Sequence, residues 1–324
     1  MAGGEFDLIR RHFTRPAPAG VLGVGDDCAL LPAMGESTAV SADLLIEGRH
    51  FFSDVDPRAL GHKALAVNLS DLAAMGAQPT AFVLGLALPR IDDAWLSAFA
   101  QGMYALADAH GCPLVGGDTT RSQAGLTIAV TIFGAVPPEL ALRRSGARPG
   151  DDIWVSGTLG DADLALRLLA GEPDVPVADR AAALAATRRA LEWPEPRVGL
   201  GLALRGVASA AIDVSDGLLQ DLGHILSASG CGARLCADDV PVSAAVSSLP
   251  PAWRHRCALG GGDAYELCFT APAAARGRVA EAAARAGTAV TRIGTVQAGS
   301  GLCVVDGAGT PLPELPRAGF DHFA

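Results

Sequence analysis

Aspartates recur at the ends of apolar runs along this 324-residue chain. The stretch "GVGDDCALL" sets Asp26 and Asp27 side by side, Asp43 ends "TAVSAD", and Asp71 lies in "NLSDLAAMGAQP". Asp118 follows "CPLVGG", Asp213 and Asp216 flank a serine in "AIDVSDG", and Asp263 follows three glycines in "GGGDAYELCF". A single such residue reads as a turn or a helix cap, and Asp216 is placed to cap a helix beginning at Gly217. Repetition changes the reading, because carboxylates converging from several strand ends repel one another strongly unless cations hold them. Hard oxygen donors without matching histidines suit Mg²⁺ or Mn²⁺ rather than zinc. Small residues beside the acids let backbone amides approach a phosphate.

Familiar phosphate-binding loops are missing. No GxxxxGK[ST] motif occurs, and the sole lysine, Lys63 in "GHKALAV", is not in a glycine-rich loop. "GVGDDC" starts like a dinucleotide fingerprint but lacks its third glycine. Neither GxSxG nor HExxH is present. What remains is a nucleotide held through metal–carboxylate bridges, with an arginine such as Arg144 as an extra clamp.

The elements that must position these groups follow from periodicity. Strand-like runs cover 37–48, 80–89, 126–136, 152–157, 209–215 and 265–272, bounded by Gly, Pro or Asp. Helical patterns cover about 58–76, 92–109, 160–170, 179–191, 217–228 and 273–286. Such alternation indicates a mixed α/β chain. The segment "AVPPELALRRSGARPGDDIWVSG" separates two strand signals and predicts a domain boundary, with a first domain at 1–137 and a second at 150–324.

Composition limits the partners. With 50% hydrophobic and 19% charged residues the chain is globular. A net charge of −10 argues against a nucleic-acid partner, which needs a basic face, but not against phosphate substrates, since bound divalent cations reverse the local sign. No apolar run is long enough for a bilayer span, so no membrane partner is expected. The charged start "MAGGEFDLIRRHF" lacks a signal-peptide core, and seven dispersed cysteines read as reduced thiols. A cytoplasmic location is expected.

In order along the chain, "GEFDLI", "GVGDDCALL", "NLSDLAAMGAQP", "GGDTT", "DVSDGLLQDLGHI", "YELCFT" and "GFDHF" resemble the thiamine-monophosphate kinase family. That family lies in a wider group with aminoimidazole ribonucleotide synthetase. The resemblance implies a two-domain α/β (α+β) fold of that synthetase-like type. Its N-terminal α/β domain would bind ATP and Mg²⁺ and form a homodimer through its sheet. Its C-terminal α/β domain, of ferredoxin-like layering, would complete the substrate site. The implied reaction transfers phosphate from ATP to thiamine monophosphate. By the same resemblance Asp27, Asp43, Asp71, Asp118, Asp213 and Asp216 match magnesium ligands, and Ser41 and Ala42 match the metal-site positions before Asp43. Gly117, Asp118, Arg144 and Ser215 match ATP contacts, while His50, Asp263 and Phe320 match positions that touch thiamine phosphate. Asp27, Asp71, Asp118 and Asp213 would serve catalysis through several bound Mg²⁺ ions.

Two departures from the family pattern stand out. Ala42 replaces a hydroxyl residue and could ligate only through its carbonyl, and "GGDA" replaces "GGED" at Gly261–Ala264. Alternatives are another ATP-dependent enzyme of the same group, such as a selenophosphate synthetase, or a non-catalytic cation-binding module. The former is expected to carry a reactive Cys or selenocysteine with a nearby lysine early in the chain, and the first 60 residues here hold no lysine.

Overall fold

The computed structural model describes residues 26–32 and 35–312, together with Gly20, Leu22, Leu315 and Gly319. Phe320 lies outside the described residues.

The first sheet is built from β1 (Ala29–Pro32), β2 (Ser37–Ile46), β3 (Gln78–Leu88), β4 (Leu114–Arg121) and β5 (Thr127–Val136), in the order β1-β2-β5-β3-β4. All pairings are antiparallel except β3 with β4. In β5 the strict alternation of "TIAVTIFGAV" buries Ile128, Val130 and Ile132 on one face, as a half-covered strand requires. That face carries α1 (Pro57–Ala74), which packs against α2 (Asp93–His110). On the opposite face Leu44 and Ile46 of β2 are exposed.

The second sheet joins β6 (Asp151–Ser156), β7 (Ala210–Val214), β8 (Gly232–Cys236), β9 (Glu266–Pro272), β10 (Val290–Gln297) and β11 (Gly301–Val305), in the order β11-β8-β10-β6-β9-β7. Its strands are flanked by α3 (Asp161–Leu169), α4 (Arg180–Glu192), α5 (Val198–Ala203), α6 (Leu218–Ser229), α7 (Ala244–Ser247), α8 (Pro251–Gly260) and α9 (Arg276–Ala286). The two-sheet α/β architecture matches the expectation from the sequence.

Helix α1 ties the two halves together. It starts cleanly, with Pro57 in the first turn and the Asp56 carboxylate accepting from Arg58 N at 2.7 Å. Its apolar residues run all round it, the pattern of a helix enclosed by protein. It touches β2 and β5 of one sheet and β7 and β9 of the other. Its last turn therefore points side chains into the junction between the sheets.

The α1–α2 contact depends on two glycines. A Cβ at Gly61 would collide with the Phe99 carbonyl, and one at Gly102 with the Arg58 carbonyl, both backbone atoms that cannot swing aside. Gly102→Ala is expected to destabilise the protein by roughly 1–3 kcal/mol, the cost of overpacking a tight core. Urea unfolding measures it; an unchanged midpoint would mean that the helices separate freely.

Five strands escaped the sequence reading, β1, β4, β8, β10 and β11, with the helices at 198–203, 244–247 and 251–260. β4, "LVGGDTTR", is an exposed edge with two glycines and no alternation, so nothing in its local pattern reports a sheet. All seven cysteines are free, five of them buried. The tryptophans pack: Trp95 stacks on Phe99, Trp154 lies parallel to Phe269, and Trp193 meets His62. No helix among the described residues is long and apolar enough to cross a membrane.

Candidate active site

Three carboxylates from three distant parts of the chain converge where the sheets meet. One oxygen each of Asp27, Asp71 and Asp213 lies within 4.8 Å of the others. Asp71 comes from the last turn of α1 and Asp213 from the end of β7. Asp27 arrives because β1 pairs Ala29 with Val40, so the chain before β1 runs back beside residues 41–43 of β2.

Hydroxyls on neighbouring elements aim these acids. Ser41 Oγ donates to Asp71 Oδ2 at 2.5 Å, and Ser70 Oγ donates to Asp213 Oδ2 at 2.7 Å. Consecutive residues of α1 thus reach opposite sheets: Asp71 is held by β2 and Ser70 holds β7. The Arg144 guanidinium grips Asp27 with two bonds, Nε to Oδ2 at 3.0 Å and Nη2 to Oδ1 at 3.1 Å, the fork geometry that suits a carboxylate. Arg144 N donates to Asp26 Oδ1 at 2.7 Å, so Asp26 supports the loop that carries the arginine.

Asp43 shares its face of β2 with Ser41 and hydrogen-bonds Asp71. Burial, with the charge of Asp27 added, pushes its carboxyl up to about 6 in spite of that hydrogen bond. Burial likewise holds Asp71 and Asp213 well above the usual carboxylate range, and neighbouring carboxylates raise them further. A bound cation opposes such a shift, because a positive charge nearby favours the ionised carboxylate. All-oxygen donors, close spacing and mutual repulsion fit a hard divalent cation such as Mg²⁺.

A cleft of about 390 Å³ opens beside the carboxylates, walled by Asp43, Asp71, Asp213, Ser215, Asp216 and Asp263. An apolar cavity of about 180 Å³ adjoins it, sharing Arg49, His50 and Leu166 and lined by Phe51, Phe52, Val55 and Leu169. His50 sits in the turn after β2, where Ile46 N donates to its Nδ1 at 2.9 Å. The accepting Nδ1 leaves the ring proton of the neutral imidazole on Nε2.

The remaining sequence-derived residues divide. Ser215 and Asp216 border the cleft. Asp216 is not the cap of α6: Gly217 holds the cap position, with no side-chain cap bond, and Asp221 Oδ2 instead accepts from Asp216 N at 3.2 Å and Gly217 N at 3.0 Å. The acid inside the helix reaches back to the amides, which the spacing of Asp216 alone did not disclose. Gly117 and Asp118 lie on the exposed edge strand β4, apart from the three clustered carboxylates. Ala42 faces away from Ser41 and Asp43, on the outer side of β2. Missed by the sequence reading were Ser70, Asp221, Tyr265 and Lys63. Adjacency to Asp71 was a signal for Ser70, and helical spacing from Asp71 was one for Lys63.

The AIR synthase-related N-terminal domain model matches residues 25–136 and its C-terminal counterpart matches residues 148–307, which defines the class. Thiamine-monophosphate kinase of Escherichia coli strain K12 is 47% identical over 330 residues, covering 100% of this chain and 99% of that protein. Thiamine-monophosphate kinase from Stenotrophomonas maltophilia K279a superposes with a TM-score of 0.79 at 47% identity, over 91% of this chain and 93% of that one. A structure of AaThiL complexed with AMPPCP and TMP superposes with a TM-score of 0.81 at 29% identity, over 99% of this chain and 97% of that one. The chain belongs to the thiamine-monophosphate kinase family of AIR synthase-related proteins.

Proposed function

We propose that this protein phosphorylates thiamine monophosphate to thiamine diphosphate with ATP, by direct in-line transfer at a site of several Mg²⁺ ions. The observation that carries this reading is the carboxylate triplet Asp27, Asp71 and Asp213 on a cleft that adjoins an apolar cavity. A phosphorylated acceptor with heteroaromatic rings suits that division into polar and apolar halves. Family membership and the complex of AaThiL with AMPPCP and TMP support it.

Donor and acceptor are both anions, and two like unit charges about 4 Å apart repel by about 4 kcal/mol at an effective dielectric of 20. When bound, Mg²⁺ held by Asp27, Asp43, Asp71 and Asp213, and on the family pattern by Asp118 and Asp216, would offset this repulsion and align the reacting phosphates. The protein supplies fixed geometry: Arg144 locks both oxygens of Asp27, and Ser41 and Ser70 lock Asp71 and Asp213. An acceptor phosphate oxygen is already ionised at neutral pH, so the residues need provide no general base. Gly117, Asp118, Arg144 and Ser215 are assigned to ATP, and His50, Asp263 and Phe320 to thiamine phosphate.

We assign residues 1–137 to ATP and metal binding and dimerisation, and residues 150–324 to completing the substrate site. The exposed Leu44, Ile46 and Val115 of the first sheet support a homodimer through that sheet. Free cysteines support a reducing compartment, the cytoplasm.

ADP release from ATP that requires both thiamine monophosphate and Mg²⁺ is the expected result. Mg²⁺ binding without turnover would identify a cation-binding module instead. Light scattering at assay concentration is expected to give a dimer; a fully active monomer would contradict the assembly.

A further inference from the structure

Lys63 is the only lysine in a chain whose other 24 cationic side chains are arginines. Its side chain is 5% exposed, and its Nζ meets Asp263 Oδ1 at 2.6 Å. A lysine so deeply placed needs a partner, and here the partner comes from the other half of the molecule. Lys63 shares a stripe of α1 with Val67 and Asp71, at intervals of four residues, and both of those line the cleft. At 1.5 Å per residue it stands about 12 Å along the helix from Asp71.

The loop that carries Asp263 is under constraint. Asp263 and Tyr265 have φ of 60° and 51°, the left-handed region, which a side chain as bulky as Tyr avoids. Their amides donate to Ser215 O and Val214 O, each at 2.8 Å, and so tie the loop to the strand end that bears Asp213. Gly261 and Gly262 pass so near Asp163 and the Ser215 carbonyl that a Cβ at either would collide. Tyr265 Oη donates to Asp263 Oδ1 at 3.4 Å, the oxygen that Lys63 already holds. A compact ammonium serves at this crowded oxygen, where a planar guanidinium demands more room. That explains a lysine in a chain that otherwise uses arginine.

We propose that Lys63 is a positioning residue for the phosphate acceptor. Through Asp263 it clamps the Gly261–Tyr265 loop in its left-handed form, and thereby sets the acceptor side of the cleft against the carboxylates around Asp71. This rests on the reading of the cleft as an acceptor site.

The test compares Lys63→Met, Asp263→Asn and the double variant in the full-length protein with ATP and Mg²⁺. Lys63→Met is expected to raise KM for thiamine monophosphate by about 10-fold or more, to leave KM for ATP within about 2-fold, and to lower kcat less than KM rises. The double variant is expected to be no worse than the poorer single variant, as for two residues acting as one unit. Amide hydrogen exchange at Asp263 and Tyr265 is expected to accelerate about 10-fold or more in both single variants. Unchanged exchange, or both KM values rising together, overturns the clamp. Should Lys63→Met fail to fold, Asp263→Asn decides by the same exchange measurement. Should the wild-type protein transfer no phosphate to thiamine monophosphate, the proposed function fails, and loop exchange still decides the role of Lys63.

Discussion

Asp71→Asn is expected to lower kcat by roughly 10²–10³-fold, the scale seen when one preorganised electrostatic group is removed, while the metal-free protein becomes more stable rather than less. The amide keeps the shape of the carboxylate and can still accept from Ser41 Oγ, so the local packing survives. What is lost is a charge that a cation needs and that the metal-free fold resists. Burial first, and then the charges of Asp43, Asp213 and Asp27, hold the Asp71 carboxyl above its ordinary range. A carboxyl raised on folding stabilises the protein below its unfolded pKa of about 4, and that contribution is lost as pH rises through the folded value. Metal-free wild-type protein should therefore lose stability from pH 4 upward, through the value of about 6 at which Asp43 titrates and beyond. Asp71→Asn should flatten that slope. ADP release measures the first effect, and thermal melts in chelator at pH 5 and pH 8 measure the second. Full activity with unchanged Mg²⁺ dependence would remove Asp71 from the site; a uniform loss of stability at both pH values would make it an ordinary packing residue.

Arg144→Met is expected to destabilise the metal-free protein by about 3–5 kcal/mol at neutral pH, the usual consequence of stranding one half of a buried ion pair. The Asp27 side chain is 1% exposed and that of Arg144 is 17% exposed, so solvent screens little of the interaction. Methionine fills much of the space of the arginine stem and isolates the electrostatic loss. Mg²⁺ should recover part of the deficit, because a cation at Asp27 replaces the missing positive charge. Urea unfolding in chelator and in excess Mg²⁺ separates the cases. An equal deficit in both would show that Asp27 serves only its ion pair and takes no part in cation binding. Arg144→Lys should fall between, since it keeps the charge and loses the two-pronged grip.

Local physics wrote much of the fold into the chain. β2, β3 and β5 were legible because one buried face and one open face impose a period of two. The long helices were legible from their helical patterns, and the structure adds that Asp56, Asp92 and Asp179 each satisfy free amides at a first turn. Strands with no such contrast, such as "LVGGDTTR" and "GARLC", left no local trace. The recurrence of aspartates at strand ends pointed to metal-assisted phosphate chemistry, and the ordered motifs pointed to the family.

Which aspartates meet was decided only by the tertiary structure. Asp27, Asp71 and Asp213 converge because α1 is enclosed between two sheets and presents consecutive residues to each, while Asp118, in an equally suggestive motif, lies on an exposed edge strand. The Lys63–Asp263 pair joins residues 200 positions apart in sequence. Periodicity reports the burial of one face of one element and carries no information about which distant element covers it. Like charges, moreover, do not attract their own neighbours: the carboxylates come together only because the packing of α1 against both sheets forces them to.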